Sequence, residues 1–122
     1  GEPLSADDVE WTLNALRTIT PTNSLLFDLR ETIEQVRVPA DNTVVLSLTQ
    51  PYSPLLAELA VPILPRHRLQ ELTPDQLGEL NFWDEPIGSG PFKFDRRAPD
   101  QSISFTRNET YFRGAPNLDQ VA

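Results

Sequence analysis

The stretch Ile33–Leu48, which reads IEQVRVPADNTVVLSL, determines the fold class. Apolar and polar residues alternate over Ile33–Val38 and again over Thr43–Leu48. Alternation with a period of two residues is typical of half-buried β-strands. The segment Pro39–Asn42 between them consists of turn-forming residues. The pattern therefore predicts a β-hairpin with strands Ile33–Val38 and Thr43–Leu48.

A second hairpin is predicted nearer the end of the chain, with strands Phe92–Asp95 and Ser102–Thr106 joined by a polar loop. A tight structural turn formed by Gly88, Gly90 and Pro91 leads into it. Two glycines flanking one small residue are typical of a turn that needs a positive φ angle. We therefore expect at least one of the two glycines to lie in the left-handed region.

A helix is predicted over about Ala6–Thr18. Ser5 is suited to cap its first turn, and the aspartates that follow complement the positive end of the helix dipole. Val9, Leu13 and Leu16 recur at helical spacing and give the helix one apolar face. Trp11 lies near this face and is expected to pack in the core rather than to stack on a ligand.

A second helix is predicted to start at Ser53-Pro54, with Pro54 at its first position, where the missing N–H of proline loses no hydrogen bond. Thr73-Pro74 gives the same signal for a later helix, and another short helix is predicted from Arg66 onwards. Hairpins and helices together predict an α+β fold, in which helices pack on an antiparallel sheet of two or more hairpins. Residues 1–122 are expected to form a single domain.

The composition excludes several classes of protein. The net charge of −8 and the pI near 4.5 argue against nucleic acid as a partner, because an acidic surface repels phosphates. The chain has no cysteine, which excludes disulfides, zinc–thiolate centres and cysteine nucleophiles. It has no methionine and no signal peptide. We interpret it as an internal fragment whose targeting signal lies elsewhere.

No motif in the chain predicts catalysis or a metal site. Gly88–Lys93 lacks the glycine that a phosphate-binding loop needs directly before its lysine. His67 is the single histidine, and without cysteines or clustered carboxylates it is expected to be a surface residue rather than a metal ligand. Asn108-Glu109-Thr110 matches the glycosylation tripeptide, although an ordinary turn explains it equally well. No cofactor is expected.

Several segments, in order, resemble the extracytoplasmic solute-binding proteins of family 5, the peptide/nickel family of ABC transporters. The segments are Gly1–Val9, Trp11–Arg17, Asp41–Leu48, Pro51–Leu56, Ile63–His67, Pro86–Phe92, Arg107–Phe112 and Gly114–Asp119. Each segment alone is a weak signal, but their order and spacing extend over nearly the whole chain. A small departure is Phe112, where the family more often has tryptophan.

The resemblance implies that the chain is a fragment of the first lobe of a larger solute-binding protein. It would form the inserted subdomain of a two-lobed periplasmic-binding-protein-like fold, in a protein that is periplasmic or lipid-anchored outside the cytoplasmic membrane. That protein would not be an enzyme. It would capture a peptide or other small solute and deliver it to an ABC permease in the membrane. The alternatives are a sensory or scaffold domain that reuses the fold and, with less support, a hydrolase domain.

The resemblance also implies where this subdomain reaches the solute cleft. Two segments are candidates, one after the first helix and one before Pro65: Leu25, Leu26 and Phe27, and Pro62, Ile63 and Leu64. All six residues are apolar, so they cannot pair with a ligand charge or coordinate nickel. They favour a peptide or another partly apolar solute and would form a passive wall. The alternative is that they belong to the core.

Overall fold

The chain folds into helices and antiparallel sheets, which confirms the predicted α+β class. The computed structural model describes residues 2–18, 29–73, 76–77, 86–99 and 101–122. The chain divides into two compact units, Gly1–Glu79 and Leu80–Ala122, and each has its own sheet. The expectation of a single domain over 1–122 stays a prediction.

In the first unit, helix α1 spans Ala6–Thr18, as predicted. Its first turn carries two aspartates and its last turn carries Arg17, so charges of both signs complement the helix dipole. On its inner face Leu13 is only 2% exposed, and Val9 and Leu16 pack around it. Burial of a leucine side chain to this extent contributes about 1.5–3 kcal/mol.

The first predicted hairpin is present, as strands β1 (Ile33–Ala40) and β2 (Thr43–Leu48). The two strands pair antiparallel, with Ile33 opposite Leu48 and Ala40 opposite Thr43. Asp41 and Asn42 form the turn, and Asn42 has a φ of 61°. Asparagine tolerates this left-handed conformation better than most residues, which explains its place in the turn.

Burial along β1 departs from simple alternation. Ile33 and Val36 are both buried, while Glu34 and Gln35 between them are exposed. The register of the strand pair shifts between Ile33 and Gln35. Because an extra residue in one strand resets which face the next side chain occupies, two residues three apart can share the inner face.

The core of the first unit forms where α1 lies against this hairpin. Its buried residues are Leu13, Leu29, Ile33 and Val36, and the partly buried residues packed on them are Val9, Leu16, Val44, Leu46, Leu48, Leu55, Leu59 and Val61. The last three come from α2 (Leu55–Glu58) and the segment after it. A second short helix, α3, spans Arg66–Leu69. The helix predicted from Arg66 begins at that residue, and the helix predicted from Pro54 begins one residue later, at Leu55.

The helix predicted after Thr73-Pro74 is described only at residues 76–77, which are helical. The Thr73 N–H donates to Gln76 Oε1 at 2.9 Å, and the Gln76 N–H donates to Thr73 Oγ1 at 3.3 Å. This reciprocal pair is a capping box, in which each side chain satisfies the other residue's free backbone group. The predicted helix start at Thr73 is thereby confirmed.

The second unit contains an antiparallel sheet of β3 (Phe92–Ala98), β4 (Ser102–Arg107) and β5 (Gln120–Val121), in that order. The second hairpin is confirmed, with strands longer than predicted, whereas β5 was not predicted. Phe94 and Phe105 lie opposite each other and their rings meet edge to face at 6.2 Å. Such aromatic pairs stabilise a sheet beyond the area that they bury.

This second sheet has little core of its own within the described residues. Among residues 86–99 and 101–122, Asn108 is the one buried residue. Several large apolar side chains remain exposed, namely Ile87, Ile103, Phe112, Leu118 and Val121. Across the described parts of the chain, no helix has the length and apolar character needed to cross a membrane.

Candidate functional site

The candidate wall segment Pro62–Leu64 lies in an irregular stretch between α2 and α3. Pro62 is exposed, whereas Ile63 and Leu64 are partly buried, and none of the three belongs to the buried core of the first unit. The other candidate segment, Leu25-Leu26-Phe27, lies outside the described residues. The role of both segments in contacting a solute stays a prediction.

A buried threonine on α1 holds this segment in place. Thr12, which is 1% exposed, accepts a hydrogen bond at Oγ1 from the Leu64 N–H at 2.9 Å. The same hydroxyl donates to the backbone oxygen of Asp8 at 2.7 Å. Because its one proton is used on the helix, the oxygen is oriented to accept from Leu64. A side chain of α1 therefore fixes the backbone of the candidate wall.

The carboxylate of Asp8 fixes the chain two residues beyond Leu64. Asp8 Oδ1 accepts from the Arg66 N–H at 3.0 Å, at the start of α3. Asp8 Oδ2 accepts from the Ser5 N–H at 2.8 Å and from the Ser5 hydroxyl at 2.9 Å. The Asp8 N–H in turn lies 3.4 Å from Ser5 Oγ. One carboxylate thus completes the cap of α1 and anchors the start of α3.

Burial acts to raise the pKa of Asp8, since it disfavours the charged carboxylate. The hydrogen bonds from the Ser5 N–H, the Ser5 hydroxyl and the Arg66 N–H act in the opposite direction and outweigh it. The positive field of His67 adds to them. The pKa of Asp8 is therefore lowered from its ordinary value. Ionised Asp8 is the form that holds α1 and α3 together.

A shallow open recess of about 220 Å³ lies beside this anchor. It is lined by Glu2, Pro3, Ser5, Asp7, Asp8, Arg66, His67 and Gln70. Its main charged groups pair with one another, because the Arg66 guanidinium lies 3.1 Å from the Asp7 carboxylate. His67 is exposed, as predicted for a surface residue. Within the described residues no group of three or more His, Cys, Asp or Glu could hold a metal ion.

A buried acidic residue, Glu58, ends α2 directly before the segment that leads to Pro62. Glu58 is 8% exposed, and its Oε1 accepts a short hydrogen bond from the Tyr52 hydroxyl. Its Oε2 is enclosed and has no hydrogen-bond partner. Residues around it in sequence, Leu55 and Leu59, pack against the apolar core. The burial of Glu58 was not predicted, because an acidic residue in a short helix is normally exposed to solvent.

The turn at Gly88, Gly90 and Pro91 is present as a bend, but the predicted backbone conformation is wrong. Neither glycine has a positive φ, and among the described glycines only Gly114 does, with a φ of 94°. The bend is held instead by a side chain that the sequence analysis did not assign to it. Asn108 donates from Nδ2 to the Gly90 backbone oxygen at 2.9 Å, and its N–H donates to the Pro91 oxygen at 2.8 Å.

Asn108 also closes the turn that follows it. Its Oδ1 accepts from the Thr110 N–H at 3.2 Å and from the Thr110 hydroxyl at 3.1 Å. Because Asn108 is only 7% exposed and its amide nitrogen already donates to the Gly90 oxygen, it is not placed to carry a glycan. The glycosylation tripeptide is therefore explained by its turn.

Comparison with known proteins places this arrangement in a family. All of residues 1–122 match the family described as bacterial extracellular solute-binding proteins, family 5 Middle. A protein of Brucella ovis whose name assigns it to the peptide-binding proteins of ABC transporters is 35% identical over 99% of this chain and 23% of its own length. Di/tripeptide-binding protein 4 of Pseudomonas aeruginosa is 32% identical over 97% of this chain and 24% of its own length.

Solved structures agree in fold. The oligopeptide-binding protein AppA of Bacillus subtilis, in complex with a nonapeptide, superimposes with a TM-score of 0.86 at 32% identity, covering 99% of this chain and 24% of AppA. NikZ of Campylobacter jejuni, in complex with Ni(L-His), gives a TM-score of 0.79 at 26% identity, covering 95% of this chain and 23% of NikZ. The chain thus spans about a quarter of the length of the relatives it matches. It belongs to the bacterial extracellular solute-binding proteins of family 5.

Proposed function

We propose that the chain is part of the substrate-binding component of an ABC importer, which captures a peptide or similar small solute outside the cytoplasm. The observation that carries this proposal is the family match over residues 1–122, together with relatives named for peptide binding. The complete protein would deliver the solute to a permease in the membrane. Its periplasmic or lipid-anchored location follows from the same proposal.

A peptide is the favoured solute for two reasons. The relatives with 35% and 32% identity carry names that refer to peptides, whereas NikZ, bound to a nickel chelate, is 26% identical. In addition, the described wall residues Pro62, Ile63 and Leu64 offer no side-chain ligand for a metal. Within the described residues the chain also lacks a metal-binding cluster. The role of the component is binding and not catalysis.

In this proposal the segments Leu25–Phe27 and Pro62–Leu64 form an apolar wall of the cleft, and other parts of the complete protein supply the polar anchors. A chain that provides one wall of a cleft lacks most of the buried area that a closed site gives its ligand. The 122-residue chain alone should therefore bind peptides weakly or undetectably, while the complete two-lobed protein binds them.

Isothermal titration calorimetry with peptide pools tests this proposal on the 122-residue chain and on the complete protein. A substitution at the wall, Ile63→Asp in the complete protein, should weaken binding at least tenfold, because it buries a charge against the solute. Ile103→Asp is the matched control, since Ile103 is 45% exposed on β4 of the second unit. Equal affinity of the chain and the complete protein would contradict the placement of the cleft. Absence of peptide binding by the complete protein would refute the function.

A further inference from the structure

One face of the sheet in the second unit carries a row of three apolar side chains. Phe94, Phe105 and Val121 lie opposite one another on β3, β4 and β5. Directly paired residues of antiparallel strands share a face of the sheet, so these three side chains lie side by side. The rings of Phe94 and Phe105 accordingly meet edge to face at 6.2 Å. We call these three residues the apolar row.

The neighbouring row of the same sheet lies on the opposite face and is polar. It consists of Lys93, Thr106 and Gln120, which pair across the same three strands. Each is next in sequence to a member of the apolar row, and successive residues of a strand point to opposite faces. Lys93 and Gln120 are exposed. This division is typical of an antiparallel sheet with one face in water and the other against a further layer.

Among the described residues, no layer of that kind buries the apolar row. Val121 is 40% exposed, and Phe94 and Phe105 are partly buried. The apolar residues that the structure describes as buried all lie in the first unit, namely Leu13, Leu29, Ile33, Val36 and Leu69. Because a sheet must bury its apolar face against another element, a covering layer has to come from elsewhere.

The length of the related proteins indicates the source of that layer. This chain matches 23% of the Brucella ovis relative, 24% of the Pseudomonas aeruginosa relative and 24% of AppA. The larger part of each of these proteins therefore lies outside the matched region. A layer in the same polypeptide is held near the sheet at high effective concentration and does not lose the translational freedom that a separate partner loses on binding.

We propose that the apolar row is a docking surface for the part of the complete protein outside residues 1–122, which covers it with apolar side chains. Arg107 lies beside the row on β4, but its guanidinium is paired with Glu109 at 2.7 Å and with Asp119 at 2.8 Å. Its charge is thus neutralised next to an apolar partner. Ile103 lies close to the hairpin turn, outside the proposed contact. The inference does not depend on the solute that the protein binds.

Cysteine labelling of the complete protein tests the inference at two neighbouring positions on opposite faces. The 122 residues contain no cysteine, so Val121→Cys and Gln120→Cys each add one thiol to them, and the wild-type protein gives the background. A thiol reacts with a maleimide where the reagent can reach it. In the native protein Val121→Cys should react about tenfold more slowly than Gln120→Cys, or slower still, whereas the two should react alike in urea.

Equal rates in the native protein would overturn the inference, because the row would then be open in the complete protein. Protection of Val121→Cys that disappears on dilution would also overturn it, since a second copy would then be the covering partner.

A second pair of variants keeps the inference testable if Val121→Cys does not fold. Val121→Asp places a charge beneath the covering layer and should lower the melting temperature of the complete protein, whereas Gln120→Asp should leave it unchanged. An unchanged melting temperature in both variants would overturn the inference.

Discussion

Replacing Thr12 by valine tests whether α1 holds the candidate wall in place. Valine has nearly the shape of threonine and a similar helix propensity, so the substitution removes the hydroxyl and little else. The Leu64 N–H then loses its acceptor at 2.9 Å. The Asp8 backbone oxygen loses a bond from the hydroxyl, but as a helical carbonyl it also accepts from the backbone.

The expected loss of stability follows from this difference between the Leu64 N–H and the Asp8 backbone oxygen. Leaving one partly buried amide unpaired destabilises a protein by about 1–3 kcal/mol, and the helical carbonyl adds little. We therefore expect Thr12→Val to lower the free energy of unfolding by about 1–3 kcal/mol. Thr12→Ser should cost about 1 kcal/mol, because it keeps the hydroxyl and removes a single buried methyl group.

Thr18→Val is the matched control for the loss of a threonine hydroxyl. Thr18 ends the same helix, and its hydroxyl donates to the Ala15 oxygen at 2.8 Å, but it is exposed to water. Its loss should change stability by less than about 0.5 kcal/mol, as is usual at surface positions. Urea denaturation of the three variants measures these differences, if the slope of the transition stays the same.

Hydrogen exchange at Leu64 separates a lost bond from a general loss of stability. In the wild-type protein the Leu64 amide should be protected, and in Thr12→Val it should exchange faster by more than the change in global stability allows. In Thr12→Ser and Thr18→Val it should stay protected. If Thr12→Val unfolds like the wild-type protein and Leu64 keeps its protection, the bond from α1 does not hold the wall, and the reasoning is refuted.

Two further predictions concern Asp8 and the glycines. The pKa of Asp8 is lowered by folding, so the folded state binds fewer protons than the unfolded state. The stability that Asp8 contributes is therefore present above its ordinary pKa of 3.8 and is lost as the pH falls through its pKa in the folded state. The free energy of unfolding of Asp8→Asn, measured between pH 6 and pH 2, should accordingly depend less on pH than that of the wild-type protein. Gly114→Ala should cost about 1 kcal/mol or more because of its φ of 94°, whereas Gly88→Ala and Gly90→Ala should be neutral or slightly stabilising in thermal melts.

The elements that the sequence predicted well are those whose signals are local. The boundaries of α1 follow from a capping serine, acidic residues in the first turn and an apolar face, all within its own span. The two hairpins follow from the alternation of apolar and polar residues along their strands and from turn residues such as Asn42. Such signals need no knowledge of distant residues, because capping and strand pairing across a tight turn involve neighbours in the chain.

The wrong or missing predictions concern features that residues distant in sequence determine. The bend at Gly88 and Gly90 is closed by Asn108, which lies on the far side of a hairpin, so no local pattern could show that the glycines keep ordinary backbone angles. Strand β5 was missed because two residues, Gln120 and Val121, are too short for periodicity. They pair with Thr106 and Phe105 of β4, which precede them by more than ten residues in sequence, and the Arg107 N–H donates to the Asp119 backbone oxygen at 2.8 Å beside them.

The candidate site shows the same division between local and distant signals. The resemblance to the family supplied Pro62–Leu64, but nothing in that apolar segment indicates how its backbone is held. The sequence assigned Asp8 only to the start of its own helix, and it gave the mid-helix Thr12 no role. A threonine one turn after a capping aspartate is nevertheless a usable signal, because its hydroxyl can bond back to the preceding turn and remain free to accept.

Asp8 and Thr12 couple the start of the chain to the candidate wall across more than fifty positions of sequence, through the bonds to Arg66 and Leu64. Both acceptors lie on one helix, and the two amides flank Pro65, which is itself buried and has no N–H to satisfy. The wall is therefore attached at two points to a rigid element, while Pro62 and Ile63 bear no such bond among the described contacts. Side chains at these two positions can change without disturbing the attachment of the segment to α1.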